Sequence, residues 1–289
     1  MKAKAIIAIM LTLSLTSLGF AQSNEAKAKF NAGLTANQAG KYAEAEKELL
    51  EAVKLDATYK QAWVELGTAQ LHLKKLPQSE ESFKKVVTLD ASDVVGHKNL
   101  GLVQLEAKKY QLAEASLLKA LQIKHGDGEV QKALGQLYYQ QNNWDKAIEY
   151  YKLYNTANSV DAKSHFFMAK AYKEKGDLAT AESEYQQAVK IDPKLADAHI
   201  NLGNLYMAQE KFGAAASSFK AALAADRNMV KAHYALAGAY QGSQNFDAAL
   251  ASYKEFVRLA EGKAAMKTMV TNAKQLITQI EAHLEQAGE

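Results

Sequence analysis

Four histidines, His97, His165, His199 and His233, first suggest chemistry, because they fall at one position of a 34-residue period. Imidazoles at a fixed interval are what a metal site would draw on. The same interval argues against one, because it puts each histidine on a different helical unit. Packed helices lie about 8 to 10 Å apart, whereas zinc ligands must come within about 2.0 to 2.1 Å of a shared ion. Trp63 fills the equivalent slot one period before His97, so the column reads as a packing position. Two glycine-containing stretches fare no better. Ala39-Gly40-Lys41 follows Gly33 at too long a spacing for a phosphate loop, Tyr42 replaces its serine or threonine, and no strand precedes it. Gly126-Asp127-Gly128 lacks the third glycine of a dinucleotide fingerprint. No nucleophile, base and orienting acid converge at a readable spacing, and the absence of cysteine removes thiolate and disulfide chemistry. The reading is of a chain that is not an enzyme, with no catalytic, cofactor-binding or metal-binding residues and no cofactor.

The elements that carry these residues repeat. In Ala196 to Met229, His199, Leu202, Gly203 and Tyr206 share one helical stripe, and Ala215, Phe219 and Ala222 share another. Glu210-Lys211-Phe212-Gly213 between them reads as a tight turn, so the unit is a helical hairpin. Gly203 and Ala222 are expected at the helix crossing, where a long side chain would overpack the contact by about 1 to 3 kcal/mol. Steps of 34 reproduce the pattern. The small column is Gly33, Gly67, Gly101, Gly135, Ala169, Gly203 and Ala237, and the large one on the second helix is Leu49, Phe83, Leu117, Tyr151, Tyr185, Phe219 and Tyr253. One apolar residue opens each second helix: Tyr42, Leu76, Tyr110, Trp144, Leu178, Phe212 and Phe246. Seven units follow without a gap: 26–59, 60–93, 94–127, 128–161, 162–195, 196–229 and 230–263.

These columns resemble the tetratricopeptide repeat, in its period, its small first-helix residue, its second-helix alanine and its closing Ile191-Asp192-Pro193. The proline is kept only at Pro193, the equivalent places holding Ala57, Ala91, His125, Ser159 and Arg227, so polar and small residues must set most inter-repeat turns. The resemblance implies an all-α, right-handed superhelical α-solenoid of stacked antiparallel helix hairpins whose first helices line a concave groove. The first repeat carries Lys29 and Ala32 where the second has Trp63 and Leu66, as suits an end facing water. In 264–289, Met266, Val270, Ala273, Ile277, Ile280 and Leu284 continue a helical stripe, with Lys267, Lys274, Gln275 and Glu281 on the other side. That segment reads as a C-terminal capping helix and tail, a partner-binding amphipathic helix being the alternative.

By offset within the repeat, the groove residues are Lys98, Lys132, Tyr139, Lys163, Phe166, Lys170, Lys173, Ile200, Asn201, Asn204, Lys231 and Tyr234, with Phe167 beside them. Apolar anchors with a few cations suit an extended peptide. Glu65, Glu106, Glu129, Glu174 and Asp197 share the face, so the groove is only slightly basic. Some members of the family grip a terminal carboxylate with lysine, asparagine, asparagine, lysine and arginine from three successive repeats. Here Asn201 and Lys231 match two of these places, while Phe166, Lys170 and Ala235 occupy the others. The full clamp is absent, although Lys170, Asn201 and Lys231 remain candidates for holding one anion.

The chain opens with Lys2 and Lys4, an apolar run from Ala5 to Leu18, and Gly19-Phe20-Ala21. This pattern predicts a secretory signal peptide, 1–21, cut after Ala21. An uncleaved anchor is the alternative, though the run is shorter than the roughly 20 residues a spanning helix needs. The expectation is of an exported chain, periplasmic or secreted, with no transmembrane span once mature. The formal charge is +3, and removing Lys2 and Lys4 leaves +1. So balanced a surface argues against a nucleic acid partner, which clustered cations would attract. With 48% hydrophobic residues and two prolines, the composition is that of an ordered helical protein. The function expected is a non-enzymatic protein-protein interaction scaffold holding an extended peptide or partner protein in its groove. The alternative is a component of a bacterial envelope assembly or polysaccharide-export machine, touching glycan through Tyr and Trp.

Overall fold

A computed structural model of the chain describes residues 24–157 and 161–287. The signal peptide expected at 1–21 lies outside them. Among the described residues the regular structure is all helical, as the hairpin reading requires. The chain divides into two compact units, the first ending at Gln141 and the second beginning at Asn142.

The first unit holds α1 (residues 24–38), α2 (Tyr42–Leu55), α3 (Lys60–His72), α4 (Leu76–Leu89), α5 (Val94–Glu106), α6 (Tyr110–Ile123) and α7 (Gly128–Gln140). The second holds α8 (Trp144–Ala157), α9 (Ala162–Glu174), α10 (Leu178–Ile191), α11 (Ala196–Ala208), α12 (Phe212–Ala225), α13 (Val230–Gly242), α14 (Phe246–Ala260), a 3-10 turn (Ala264–Met266) and α15 (Lys267–Ala287). Within each unit helices pack on their sequence neighbours, as in α3 on α4 and α4 on α5 of the first, or α11 on α12 and α12 on α13 of the second. This is the solenoid arrangement: hairpin beside hairpin, every one burying its face on the next.

The small-residue column has a specific cause. A Cβ added at Gly203 would lie 2.6 Å from Cε1 of Phe219, one at Gly67 would lie 2.8 Å from Cζ of Phe83, and one at Gly101 would lie 2.6 Å from Cγ of Leu117. Each glycine is therefore a seat for the large residue sixteen positions later in its own hairpin. At Gly203 the group that a longer side chain would meet first is the Phe219 ring. Phe83 and Phe219 are fully buried there, a burial contributing about 1.5 to 3 kcal/mol each.

Both kinds of turn follow a rule. Within hairpins, one residue adopts a left-handed backbone at the same position in every repeat: Gly40 (φ 72), Lys74 (60), Lys108 (58), Asn142 (57), Gly176 (84), Glu210 (57) and Gln244 (60). Glu210 thus makes the turn read from sequence at 210 to 213, and Phe212 and Gly213 already belong to α12. Between hairpins, Asp56, Asp90, Asp192 and Asp226 each accept a bond through Oδ1 from the backbone N–H two residues on, at 2.9, 3.0, 2.9 and 2.9 Å. These aspartate turns account for the scarcity of proline, because they fix the chain direction through a side chain. Trp63 and two histidines of its column close the same turns, whereas Nδ1 of His165 lies 2.6 Å from Oε2 of Glu184. Trp63 Nε1 donates to the Ala57 carbonyl at 2.9 Å, and His97 and His199 place Nε2 3.0 Å from the carbonyls of Ala91 and Pro193.

Successive repeats are also tied by charge. Lys75, Lys109 and Lys211, at the start of second helices, reach back to Glu46 (2.6 Å), Glu80 (2.6 Å) and Glu182 (3.3 Å) of the repeat before. Where Asn143, Asp177 or Asn245 takes the lysine's place, its side chain instead caps its own helix, accepting from Lys146, Thr180 or Ala248 N–H. At the C-terminal end α15 lies on α14, burying Ala273 and Ile280 against Tyr253, Phe256 and Ala260. This is the capping helix read from sequence.

Candidate functional site

Before it can bind anything, the first-helix face must be free of its own partners, and much of it is not. In the first unit Lys98 is ion-paired with Glu129, Glu106 with Lys74 at 2.7 Å, and Glu65 accepts from Asn37 at 2.8 Å. Lys132 and Tyr139 are half-buried on α7. A cleft of about 390 Å³ lies on this side, lined by Leu71, Leu102, Leu105, Glu106, Lys108, Gln136 and Gln140.

In the second unit Lys163 is exposed at the start of α9, and Lys173 lies beside Glu174 at 3.6 Å. The Lys170 ammonium stands 5.5 Å from the Phe166 ring, a cation–π contact. Phe166 packs against Phe167 and Tyr185, with ring centres 5.3 and 6.0 Å away. Asn201 turns back on its own helix, donating to the Asp197 carbonyl at 2.8 Å. Tyr234 stacks edge-on to Tyr253 and Phe256 at 5.4 and 5.2 Å, inside the last repeat. These contacts give six of the nominated side chains local partners: Lys98, Phe166, Lys170, Lys173, Asn201 and Tyr234.

Three others come together. Ile200 and Asn204 from α11 and Lys231 from α13 line a cleft of about 550 Å³, whose remaining wall is Asn228, Met229, Val230, Ala232, Ala235, Lys263 and Met266. Its size falls in the range of ligand sites, roughly 300 to 1,000 Å³. The lining contains apolar side chains, two amides and two lysines, and no carboxylate. Lys231 and Lys263 are exposed and form no ion pair among the described residues. Asn228 and Met229 were missed in the sequence because they lie in an inter-repeat turn, and Lys263 and Met266 because the 34-residue period ends at Lys263. A cleft of this kind offers apolar contact area, amide hydrogen bonds and positive charge.

Two family models described as tetratricopeptide repeat match the chain, one over residues 30–94 and 200–264 and the other over 104–171. A third, described as TPR repeat, matches 169–210. The chain is a tetratricopeptide repeat protein. No curated protein matches it. Among solved structures, the C-terminal part of a TPR repeat-containing protein from Cytophaga hutchinsonii superposes with a TM-score of 0.69 at 15% identity, over 82% of this chain and 97% of that one. The pilF protein of Pseudomonas aeruginosa gives 0.61 at 20%, over 78% and 99%. YrrB, described as a TPR protein with an unusual peptide-binding site, gives 0.56 at 20%, over 65% and 96%. At these identities the likeness is one of fold. Tetratricopeptide repeats are typically non-catalytic platforms for other proteins, and no helix among the described residues of this one is long and apolar enough to cross a membrane.

Proposed function

We propose that this repeat protein is a non-enzymatic scaffold that holds an extended peptide segment of a partner protein in the groove lined by its first helices. The observation that carries the reading is the cleft joining Ile200, Asn204 and Lys231, where side chains from two consecutive repeats and the chain beyond them face open space. An extended peptide satisfies such a surface through apolar anchors and a few polar contacts. The peptide-binding site named for YrrB supports the idea by analogy of fold. Export to the periplasm or the exterior belongs to the same proposal and rests on the Lys2, Lys4 and Ala5 to Leu18 pattern; N-terminal sequencing of the mature chain should begin at Gln22.

The test is site-resolved crosslinking in intact cells with a photoreactive residue at Asn204. A discrete adduct is expected there and none at Lys220, an exposed residue of α12. Equal labelling at both places would refute groove binding.

A further inference from the structure

The 550 Å³ cleft at the end of the array is one-sided in charge, and that asymmetry narrows what it accepts. Elsewhere on the same faces lysines meet carboxylates: Lys98 pairs with Glu129, Lys74 with Glu106 at 2.7 Å, and Lys60 with Asp90 and Asp93 at 2.8 and 2.6 Å. At the cleft, Lys231 from α13 and Lys263 from the segment before α15 have no such partner among the described residues and line the same space as Ile200, Val230 and Met266. Two unpaired ammonium groups beside apolar surface complement a carboxylate next to an apolar side chain. Met266 adds a flexible thioether that adapts to apolar shapes.

Building on the groove-binding reading above, we infer that this cleft selects extended partner segments in which an Asp or Glu adjoins Leu, Ile or Met. The acidic side chain lies between Lys231 and Lys263, and its apolar neighbour lies against Ile200, Val230 and Met266. Both lysines thus come from the seventh repeat, and Met266 from the capping segment that follows it. The carboxylate is a side chain rather than a chain terminus.

The experiment passes a pool of short random peptides, amidated at the C-terminus, over the immobilised full chain and sequences those retained. Peptides with an acid beside Leu, Ile or Met are expected to be enriched about tenfold or more, equivalent to about 1.4 kcal/mol. The Lys231→Glu/Lys263→Glu variant, altered only at exposed positions and checked for an unchanged Tm, should lose that enrichment and favour basic peptides. Retention that ignores acidic residues, or is the same in the double variant, overturns the inference while leaving groove binding intact if Asn204→Arg abolishes it. Enrichment seen only in a pool with free C-termini also overturns it. A pool retained no better by the native chain than by Asn204→Arg would sink the groove reading itself, and this inference with it.

Discussion

Gln244 holds its backbone at φ 60 in the last hairpin turn, where Gly40 and Gly176 occupy the equivalent places in the first and fifth. A side chain in that region costs about 1 to 2 kcal/mol, which glycine escapes. Gln244→Gly is therefore expected to stabilise the chain, by about 0.5 to 1 kcal/mol after the added chain entropy of the unfolded state; urea denaturation reads it. The opposite outcome is expected at Gly101, where a Cβ alone would meet Leu117 at 2.6 Å. Gly101→Leu should cost at least about 1 to 3 kcal/mol, visible as a lowered Tm, while Lys119→Leu on exposed α6 surface should fall within about 0.5 kcal/mol of wild type.

At the scale of elements, the second and third repeats are joined by a buried acid with a reaching lysine. Burial pushes the Glu80 carboxyl up, but hydrogen bonds from Lys109, Gln104 and Lys84 outweigh it and hold the group below the ordinary carboxylate value. With Glu80 only 3% exposed, Lys109→Met leaves a buried carboxylate short of a donor and should cost about 1 to 3 kcal/mol; pairing it with Glu80→Leu should recover most of the loss. The turn that ends the second repeat carries an acid-sensitive pair of its own. Hydrogen bonds from Lys60 and Ser92 hold Asp90 down to about 2 from its ordinary 3.8, and Lys60 is pushed up to about 12 by Asp90 and Asp93. A carboxyl depressed on folding contributes stability above its ordinary pKa and loses it as pH falls through the folded one. Tm should thus drop between about pH 4 and pH 2, and Asp90→Asn should flatten that part of the profile.

Across the whole molecule, α15 closes the last hairpin and contributes to the cleft. Ending the chain at Lys263 uncovers Tyr253, Phe256 and Ala260 and removes Met266 from the cleft wall. Because stability in an array is close to a sum over neighbouring interfaces, the loss should be local. Hydrogen exchange is expected to accelerate in α13 and α14 while α3 to α5 keep their protection; uniform acceleration would contradict nearest-neighbour behaviour.

The sequence by itself determined the hairpin, its 34-residue period and the capping helix, because side-chain volume recurs wherever a helix meets the same neighbour. It also showed Lys75 and Glu46, or Asn143 and Lys146, as residue types, without saying which reach across and which cap their own helix. Of the twelve groove residues named from the sequence, Ile200, Asn204 and Lys231 meet in one cleft. Offset within a repeat tells which face a residue occupies, but whether a lysine there is spent on a neighbouring carboxylate depends on distances between repeats. Only the tertiary structure decided that Lys98 is paired with Glu129 while Lys231 and Lys263 face open space, since that choice is made between residues about thirty positions apart in the chain.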